Sequence, residues 1–477
     1  MPAVRLGPYT IAKILRRRAV LRRHEHWSRE HVLREQAHRL EILRRFAQDE
    51  SPFYREFHAG LARKPLEDLP ILTKQTLMDN WDRVSTNRKL HLESVFEFVT
   101  KVRSDPELLY DRFYTAATSG SSGHRGIFAY DPNEWQWVVA SYARSNDWAG
   151  VAAGLFHHLR LAVVSTTKPW HQSAVVGASL KSALVPTLRL DVTAPLGEIV
   201  EELNNFQPES LVAYAGMAGV LAGEQLEGRL AITPQAVLCA SEVLTEEARA
   251  DISRAFGAEP YETYAATETA GIASDCRHHH LHLFEDLVIP EVVDSDGQVV
   301  PPGEVGDRLL VTVLFSRTLP LIRYELTDRV ALAADAYPCD LPFRALARVE
   351  GRTEDVLSFS GTNDAGVVAV HPNVFHDVLD RADLRRWQVL QLSADQVQVR
   401  VVPRGDLDTE TLRRSLVDSL RLAGAAAKIE VMPTTQLEYN AAGKTPLISR
   451  TERLGLTSSI SKRATSTSSG QTGSDDL

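Results

Sequence analysis

"LRLAVVST" at residues 159–166, "ESLVAY" at 209–214, "QAVLCAS" at 235–241 and "YETYAAT" at 261–267 are short runs rich in β-branched and aromatic residues. The segments between them differ. "GEIVEELNNF" at 197–206 and "TEEARADISRAFG" at 245–257 carry apolar residues every three or four positions. Short apolar runs bounded by turn residues read as strands, and a 3.6-residue apolar period reads as a helix. Their alternation predicts an α/β fold built on a mostly parallel, doubly wound sheet.

On either side of this block the pattern changes. Residues 1–95 read as helices, and in "LPILTKQTLMDNW" at 69–81 Thr73 stands as a cap before a helical run. "VIPEVVDSDGQVVPPGEVGDRLLVTVL" at 288–314 holds two turn sequences, "SDGQ" and "PPGE", so an antiparallel subdomain is expected there. A further βα segment follows at about 356–455. It includes the alternating strand "DQVQVRVVP" at 395–403 and the amphipathic helix "DTETLRRSLVDSLRLAG" at 408–424. Residues 456–477 are poor in apolar residues and rich in Ser, Thr and Gly, the composition of a disordered tail.

The 477-residue chain has a net charge of −9, which does not favour nucleic acid. Its first fifty residues carry 12 Lys/Arg against 6 Asp/Glu. The cluster at 14–27 is interleaved with apolar and acidic residues, so it reads as the solvated face of helices and not as a membrane patch. No apolar run is long enough to span a membrane, and no apolar stretch follows the basic N-terminus as a secretory signal requires. Three cysteines, Cys239, Cys276 and Cys339, are too few for a disulfide framework. They point to a reducing, cytoplasmic setting with thiols that are buried or metal-bound.

"YTAATSGSSGHRG" at 114–126 is a glycine- and hydroxyl-rich loop of the kind that turns backbone N–H groups toward phosphate. Alone it is equally a polar surface loop. Four short stretches follow it: "YAATE" at 264–268, "LPLIRYELTDR" at 319–329, "VEGRTEDVL" at 349–357 and "NAAGKTP" at 440–446. Taken singly, these also have plain readings. Asp328 is a turn residue at a strand's end, Arg352 a surface charge, and Glu268 the cap of a helix implied by "TAGIAS" at 269–274.

In this order the set resembles the adenylate-forming superfamily of acyl-CoA synthetases, peptide-synthetase adenylation domains and luciferases. The run "CRHHHLHLFEDLVIPEVVD" at 276–294, together with the 69–81 stretch, is similar to the phenylacetate–CoA ligase branch. The resemblance implies a large adenylation core over residues 1–354, with 1–95 as its helical lead-in. A small, mobile α+β C-terminal lid would span 355–455 and turn about Asp355. It implies ATP-dependent ligation of a small carboxylic acid through an acyl-adenylate, with CoA as the thiol acceptor. An amine or a carrier protein stays open as acceptor, as does an inactive nucleotide-binding homologue. Oligomeric state is open too.

The resemblance also assigns residues. Thr118, Ser119, Gly120, Ser121, Ser122 and Gly123 would hold the ATP phosphates. Ser241, Glu242 and Tyr264 would line the adenine, although Ala265 stands where a glycine is usual after the tyrosine. Thr267 would hydrogen-bond the α-phosphate and Glu268 would bind Mg2+. Asp328 would hold the ribose hydroxyls, Arg352 the ribose or phosphate, and Lys444 would bridge the attacking carboxylate and the α-phosphate. Arg323 is a further, weaker candidate. Many relatives carry a lysine and a proline after the loop's last glycine; here His124 and Arg125 follow, and Arg125 is not interchangeable with lysine. The branch's zinc site is implied in reduced form: Cys276, His282 and Cys339 remain, and Tyr337 stands where another cysteine would be. Structural zinc takes four ligands, so one of His278–His280 completes the set or the segment is a polar loop with a buried thiol. Aromatic residues at 133–148 and 168–180 suggest an aryl or arylalkyl acid, or simply helix packing.

Overall fold

The computed structural model describes residues 7–102, 106–118, 126–151, 153, 158–180, 182, 184–192, 194–352, 357–362, 367–370, 373–379, 382–438 and 447–450. The expectations for Ser119, Gly120, Ser121, Ser122, Gly123, Arg125, Asp355, Lys444 and the 456–477 tail fall outside these residues. The chain divides near residue 354 into two compact units.

The first unit is built around a nine-stranded sheet. Its order is Asp328–Leu332, Ala345–Arg352, Leu281–Leu283, Ala270–Asp275, Tyr261–Ala266, Ala236–Ala240, Ser210–Tyr214, Leu161–Ser165 and Thr187–Asp191. The five strands from Tyr261–Ala266 to Thr187–Asp191 are parallel, and the remaining neighbours are antiparallel. The parallel, doubly wound part is therefore about half of the sheet. Its helices start and stop where the side chains dictate. Thr245 caps Glu246–Phe256 by accepting the Ala248 N–H, and Gly257, at φ 71°, closes it in the left-handed conformation.

The expected helix at "TAGIAS" is instead the strand Ala270–Asp275, buried along its whole length and paired antiparallel with Tyr261–Ala266. Alanine and glycine carry little local preference for a strand, so tertiary packing decides. A Cβ on Gly271 would lie 2.8 Å from the Phe284 ring, and only glycine lets this strand lie so close to Phe284. The expected antiparallel subdomain is a three-stranded sheet of Val288–Val293, Arg308–Val313 and Tyr324–Leu326. In its first turn the Asp294 carboxylate accepts the N–H groups of Asp296 and Gln298.

The basic N-terminal cluster is only partly a solvated face. Arg18 is buried against Asp147 in a two-pronged ion pair, and Arg22 joins it at 2.8 Å. Both tie the helix Pro8–His24 to the helix Pro132–Trp148. Deeper, the Arg144 guanidinium donates to both Asp286 oxygens at 2.7 and 2.6 Å, and His24 Nδ1 meets the same carboxylate at 2.7 Å. Asp286 is fully enclosed; burial alone would raise its pKa, but Arg144 and His24 hold it far below the usual carboxylate range. Removing one partner of such a pair strands a charge. Arg144→Met is expected to lower unfolding free energy by about 3–5 kcal/mol, and Asp286→Asn in the same chain should recover part of it. A loss under about 1 kcal/mol in denaturant titration would contradict this account.

The second unit carries a four-stranded sheet, Lys428–Pro433, Gln396–Pro403, Leu384–Ser393 and Ile448–Arg450, and a three-stranded one, Val367–Val370, Leu357–Gly361 and Ala425–Ala426. The helix Thr409–Leu422 buries Leu412, Leu416 and Leu420 and is capped by Asp408. The expected strand and helix at 395–424 are both present.

Candidate active site

In open α/β sheets ligands bind beyond the carboxyl ends of the parallel strands. Four of the five such ends here are Ser165, Tyr214, Ala240 and Ala266. Each is followed by residues able to meet a polar ligand. Tyr214 Oη accepts the Thr166 N–H at 3.3 Å. Ser241 is exposed and left-handed at φ 68°. Glu242 accepts the Gly216 N–H at 2.8 Å, at the start of the helix Ala215–Leu226, so part of its function is to hold that helix end. Thr267 and Glu268 leave the next strand in the row.

Tyr264 and Asp328 come together: the phenol donates to Asp328 Oδ2 at 2.7 Å. Asp328 opens its strand and lies in register with Arg352. Adenine and ribose candidates thus occupy one corner, at the ends of strands that are four places apart in the sheet.

The turn at Thr267–Glu268 is held from behind. Tyr130 donates to the Thr267 carbonyl and lies 3.2 Å from that of Glu268, and Gln172 Nε2 reaches the Thr267 carbonyl at 3.0 Å. The Glu268 side chain is mostly buried, and Tyr324 donates to its Oε1 at 3.3 Å. Burial and the Glu268 charge hold both phenols, Tyr130 and Tyr324, well above the ordinary tyrosine range, so each stays a donor. The arrangement orients a carboxylate as an acceptor and cation ligand.

The hairpin Tyr114–Ala117/Ile127–Tyr130 brackets the glycine-rich loop. Its mouth is closed by Thr118 N–H to Gly126 O at 2.9 Å and by Gly126 N–H to Thr118 Oγ1 at 2.8 Å. Lys74 reaches the same hydroxyl with Nζ at 3.2 Å. A Cβ at Gly126 would stand 2.9 Å from the Phe128 ring and 3.1 Å from Lys74 Cε, so the glycine leaves room for the lysine stem. Leu72 exchanges backbone hydrogen bonds with Arg323 and Glu325, either side of Tyr324, which places Lys74 near the Glu268 end of the site.

Lys74 is a candidate site residue that sequence reading missed. One signal was available. It is the first residue of the helix Lys74–Asp79, behind the cap Thr73. A cation there opposes the helix dipole by roughly 0.3–1 kcal/mol, a cost that a nearby anion would offset.

Arg323 does not face this site. It is buried in an ion pair with Glu291, Nη2 to Oε1 at 3.0 Å, and also donates to the Glu67 and Leu69 carbonyls. It fastens the N-terminal helical segment to the antiparallel sheet. Trp135 and Trp148 are likewise packing residues. Trp135 stacks on Tyr114 with ring centres 4.6 Å apart, and Trp148 packs edge-on against Phe284. They give the aryl-acid expectation no support.

At the far end of the same sheet Cys276, His282 and Cys339 come together, joined by His280. Cys276 Sγ is 3.7 Å from Cys339 Sγ, and His280 Nδ1 is 3.0 Å from Cys339 Sγ. His282 is buried; its Nδ1 is 2.8 Å from the Phe343 carbonyl, and its Nε2 makes no well-formed hydrogen bond among the described residues. Among the described residues no helix is long and apolar enough to cross a membrane.

No protein-family model matches the chain. A phenylacetate–coenzyme A ligase of Thermus thermophilus is 25% identical over 450 residues, covering 86% of this chain and 94% of that protein. One from Pseudomonas putida is 27% identical over 350 residues, covering 68% and 72%. Among solved structures, 2-hydroxyisobutyryl-CoA ligase in its postadenylation state with 2-HIB-AMP aligns at a TM-score of 0.70 and 17% identity, covering 90% of this chain and 92% of that one. At that identity the likeness is one of fold.

Proposed function

From the similarity to phenylacetate–CoA ligases along most of the chain, we propose that it belongs to the phenylacetate–CoA ligase-like branch of the adenylate-forming superfamily, activates a small carboxylic acid with ATP and passes the acyl group to CoA. The observation that carries this reading is the convergence, in one unit, of Tyr264–Asp328 and Glu268–Tyr324 beside the Thr118–Lys74 contact. That would supply a nucleoside-binding corner, a cation ligand and a phosphate-facing charge together.

In the first step a substrate carboxylate oxygen attacks the α-phosphorus. The bond to the bridging oxygen breaks, and pyrophosphate leaves with the electron pair. The transition state needs its spread negative charge neutralised. Glu268 would hold Mg2+, with Tyr324 fixing the carboxylate. Thr267 would hydrogen-bond the α-phosphate, Asp328 the ribose and Arg352 the ribose or phosphate. Ser241, Glu242 and Tyr264 would border the adenine. Thr118 with residues 119–123 would hold the outer phosphates, with Lys74 giving the positive charge that the loop lacks. Lys444 would bridge the reacting groups from the C-terminal domain, 355–455, which would turn at Asp355. In the second step the thiolate attacks the acyl carbon, and AMP leaves.

The relatives' names favour an aryl or arylalkyl acid. A cytoplasmic setting agrees with the three unpaired thiols, Cys239, Cys276 and Cys339. Cys276, His282 and Cys339 would hold a structural zinc.

Supplying acid and Mg-ATP with CoA, an amine panel or a phosphopantetheinylated carrier protein separates the acceptors. AMP release coupled to acyl-CoA is the expected product. Acyl transfer only to amine or carrier would overturn the acceptor assignment, and no adenylate with any acid would indicate an inactive homologue. Glu268→Gln should keep the fold yet need roughly tenfold or more Mg2+ for half-maximal rate, since an amide is a poor ligand for a hard cation. Unchanged rates at limiting Mg2+ would remove the metal assignment.

A further inference from the structure

We propose that the fourth ligand of the metal site is His280, an imidazole in place of the cysteine absent at 337, and that Tyr337 positions it. The proposal rests on reading Cys276, His282 and Cys339 as zinc ligands, and goes beyond it in completing the set.

Zinc–sulfur and zinc–nitrogen bonds are about 2.3 and 2.0–2.1 Å, so ligand atoms around a tetrahedral zinc stand roughly 3.3–3.8 Å apart. The two sulfurs are 3.7 Å apart, and one ligand atom from each of Cys276, His280, His282 and Cys339 falls within 4.8 Å of the others. His280 Nδ1 and Cys339 Sγ, at 3.0 Å, need to part by only a few tenths of an ångström.

The state of His282 points to a ligand. A carbonyl can only accept, so its contact with Phe343 O requires the proton on Nδ1 and leaves the lone pair on Nε2. That is how a metal-binding histidine is held. Nε2 is buried beside the Cys276 thiol and makes no well-formed hydrogen bond among the described residues, a cost of about 1–3 kcal/mol if nothing binds it.

His280 is placed by two constraints. Its carbonyl accepts the Cys276 N–H at 3.0 Å, closing a tight turn. Its ring lies flat on Tyr337, with centres 3.9 Å apart and planes 6° apart. The residue at 337 therefore does not ligate; it stacks, and fixes which way the ring nitrogen points. Two thiolates balance the charge of Zn2+, so the completed site is neutral, whereas a three-cysteine site would carry one negative charge.

The test uses full-length protein expressed with zinc and never exposed to chelator. Metal analysis should find one zinc per chain, and the cobalt-substituted form should show tetrahedral d–d bands with the charge-transfer absorption of two thiolates. Loss of an outer partner typically costs 10–100-fold in metal affinity. Tyr337→Ala should fall in that range and Tyr337→Phe should not. His280→Ala, which removes a ligand, should lose more than about 100-fold in competition with a chelator. His280→Cys should restore tight binding and strengthen the charge-transfer band as a third thiolate joins. If the parent holds no zinc or cobalt, the metal reading fails and the proposal with it. If the parent holds zinc and His280→Ala holds it equally well, only the fourth-ligand assignment is wrong.

Discussion

Lys444→Ala is expected to lower acyl-adenylate formation by about 10²–10³-fold, or roughly 2.7–4 kcal/mol of transition-state stabilisation. Thioester formation from supplied acyl-adenylate should stay within a few-fold of the parent. The two half-reactions separate because the proposed contacts of Lys444, to the attacking carboxylate and the α-phosphate, exist only while both are present. After pyrophosphate has left, the lysine has nothing to bridge. A domain turning at Asp355 would then carry it away and admit the thiol. Pyrophosphate exchange reads the first step, and quenched single-turnover assays read the second. Equal loss in both would place Lys444 outside the adenylation chemistry.

Lys74→Met should lower adenylation by about 100-fold, mainly through weaker handling of the outer phosphates. Methionine keeps most of the stem that packs beside Gly126 and removes the charge. The substitution carries a second readout that a structural role would not give. A cation at a helix N-terminus is unfavourable by roughly 0.3–1 kcal/mol, so the variant should be as stable as the parent or slightly more so. Lower activity with undiminished stability fits a phosphate-binding lysine. Activity and stability falling together would mean that Lys74 only supports the hairpin. Lys74→Arg should recover part of the loss, limited by its planar fork.

What the sequence made legible follows from where the physics is local. The strands at 161–165, 210–214, 236–240 and 261–266 and the helices at 196–206, 246–256 and 409–422 stand where periodicity and caps placed them. Most of them bury an apolar face of their own, and that period is written in the residues. "TAGIAS" misled because alanine, glycine and serine have no decisive period. Its strand exists through pairing with Tyr261–Ala266 and close approach to Phe284. The basic cluster misled in a similar way, since the partners of Arg18 and Arg22 at Asp147 are 129 and 125 residues away.

The site divides along the same line. Short motifs carried Thr267, Glu268 and Asp328, but nothing in them shows Tyr264 lying against Asp328, Tyr324 against Glu268 or Lys74 at the loop mouth. The stretch containing Lys74 shows its cap, Thr73, but no local pattern singles out the lysine beside it. For the metal cluster the resemblance supplied Cys276, His282 and Cys339. Choosing His280 over its neighbours needed the stacked ring of Tyr337.

The central claim is that a carboxylic acid and ATP meet here to form a mixed anhydride with AMP. Acid-dependent exchange of labelled pyrophosphate into ATP, run without CoA across aryl, arylalkyl, alkyl and amino acids, tests it most directly. The account predicts exchange that requires Mg2+ and one class of acid, strongest among aryl or arylalkyl acids, and that falls about 10²–10³-fold in Lys444→Ala. Exchange absent for every acid, from protein shown to bind ATP, would contradict it.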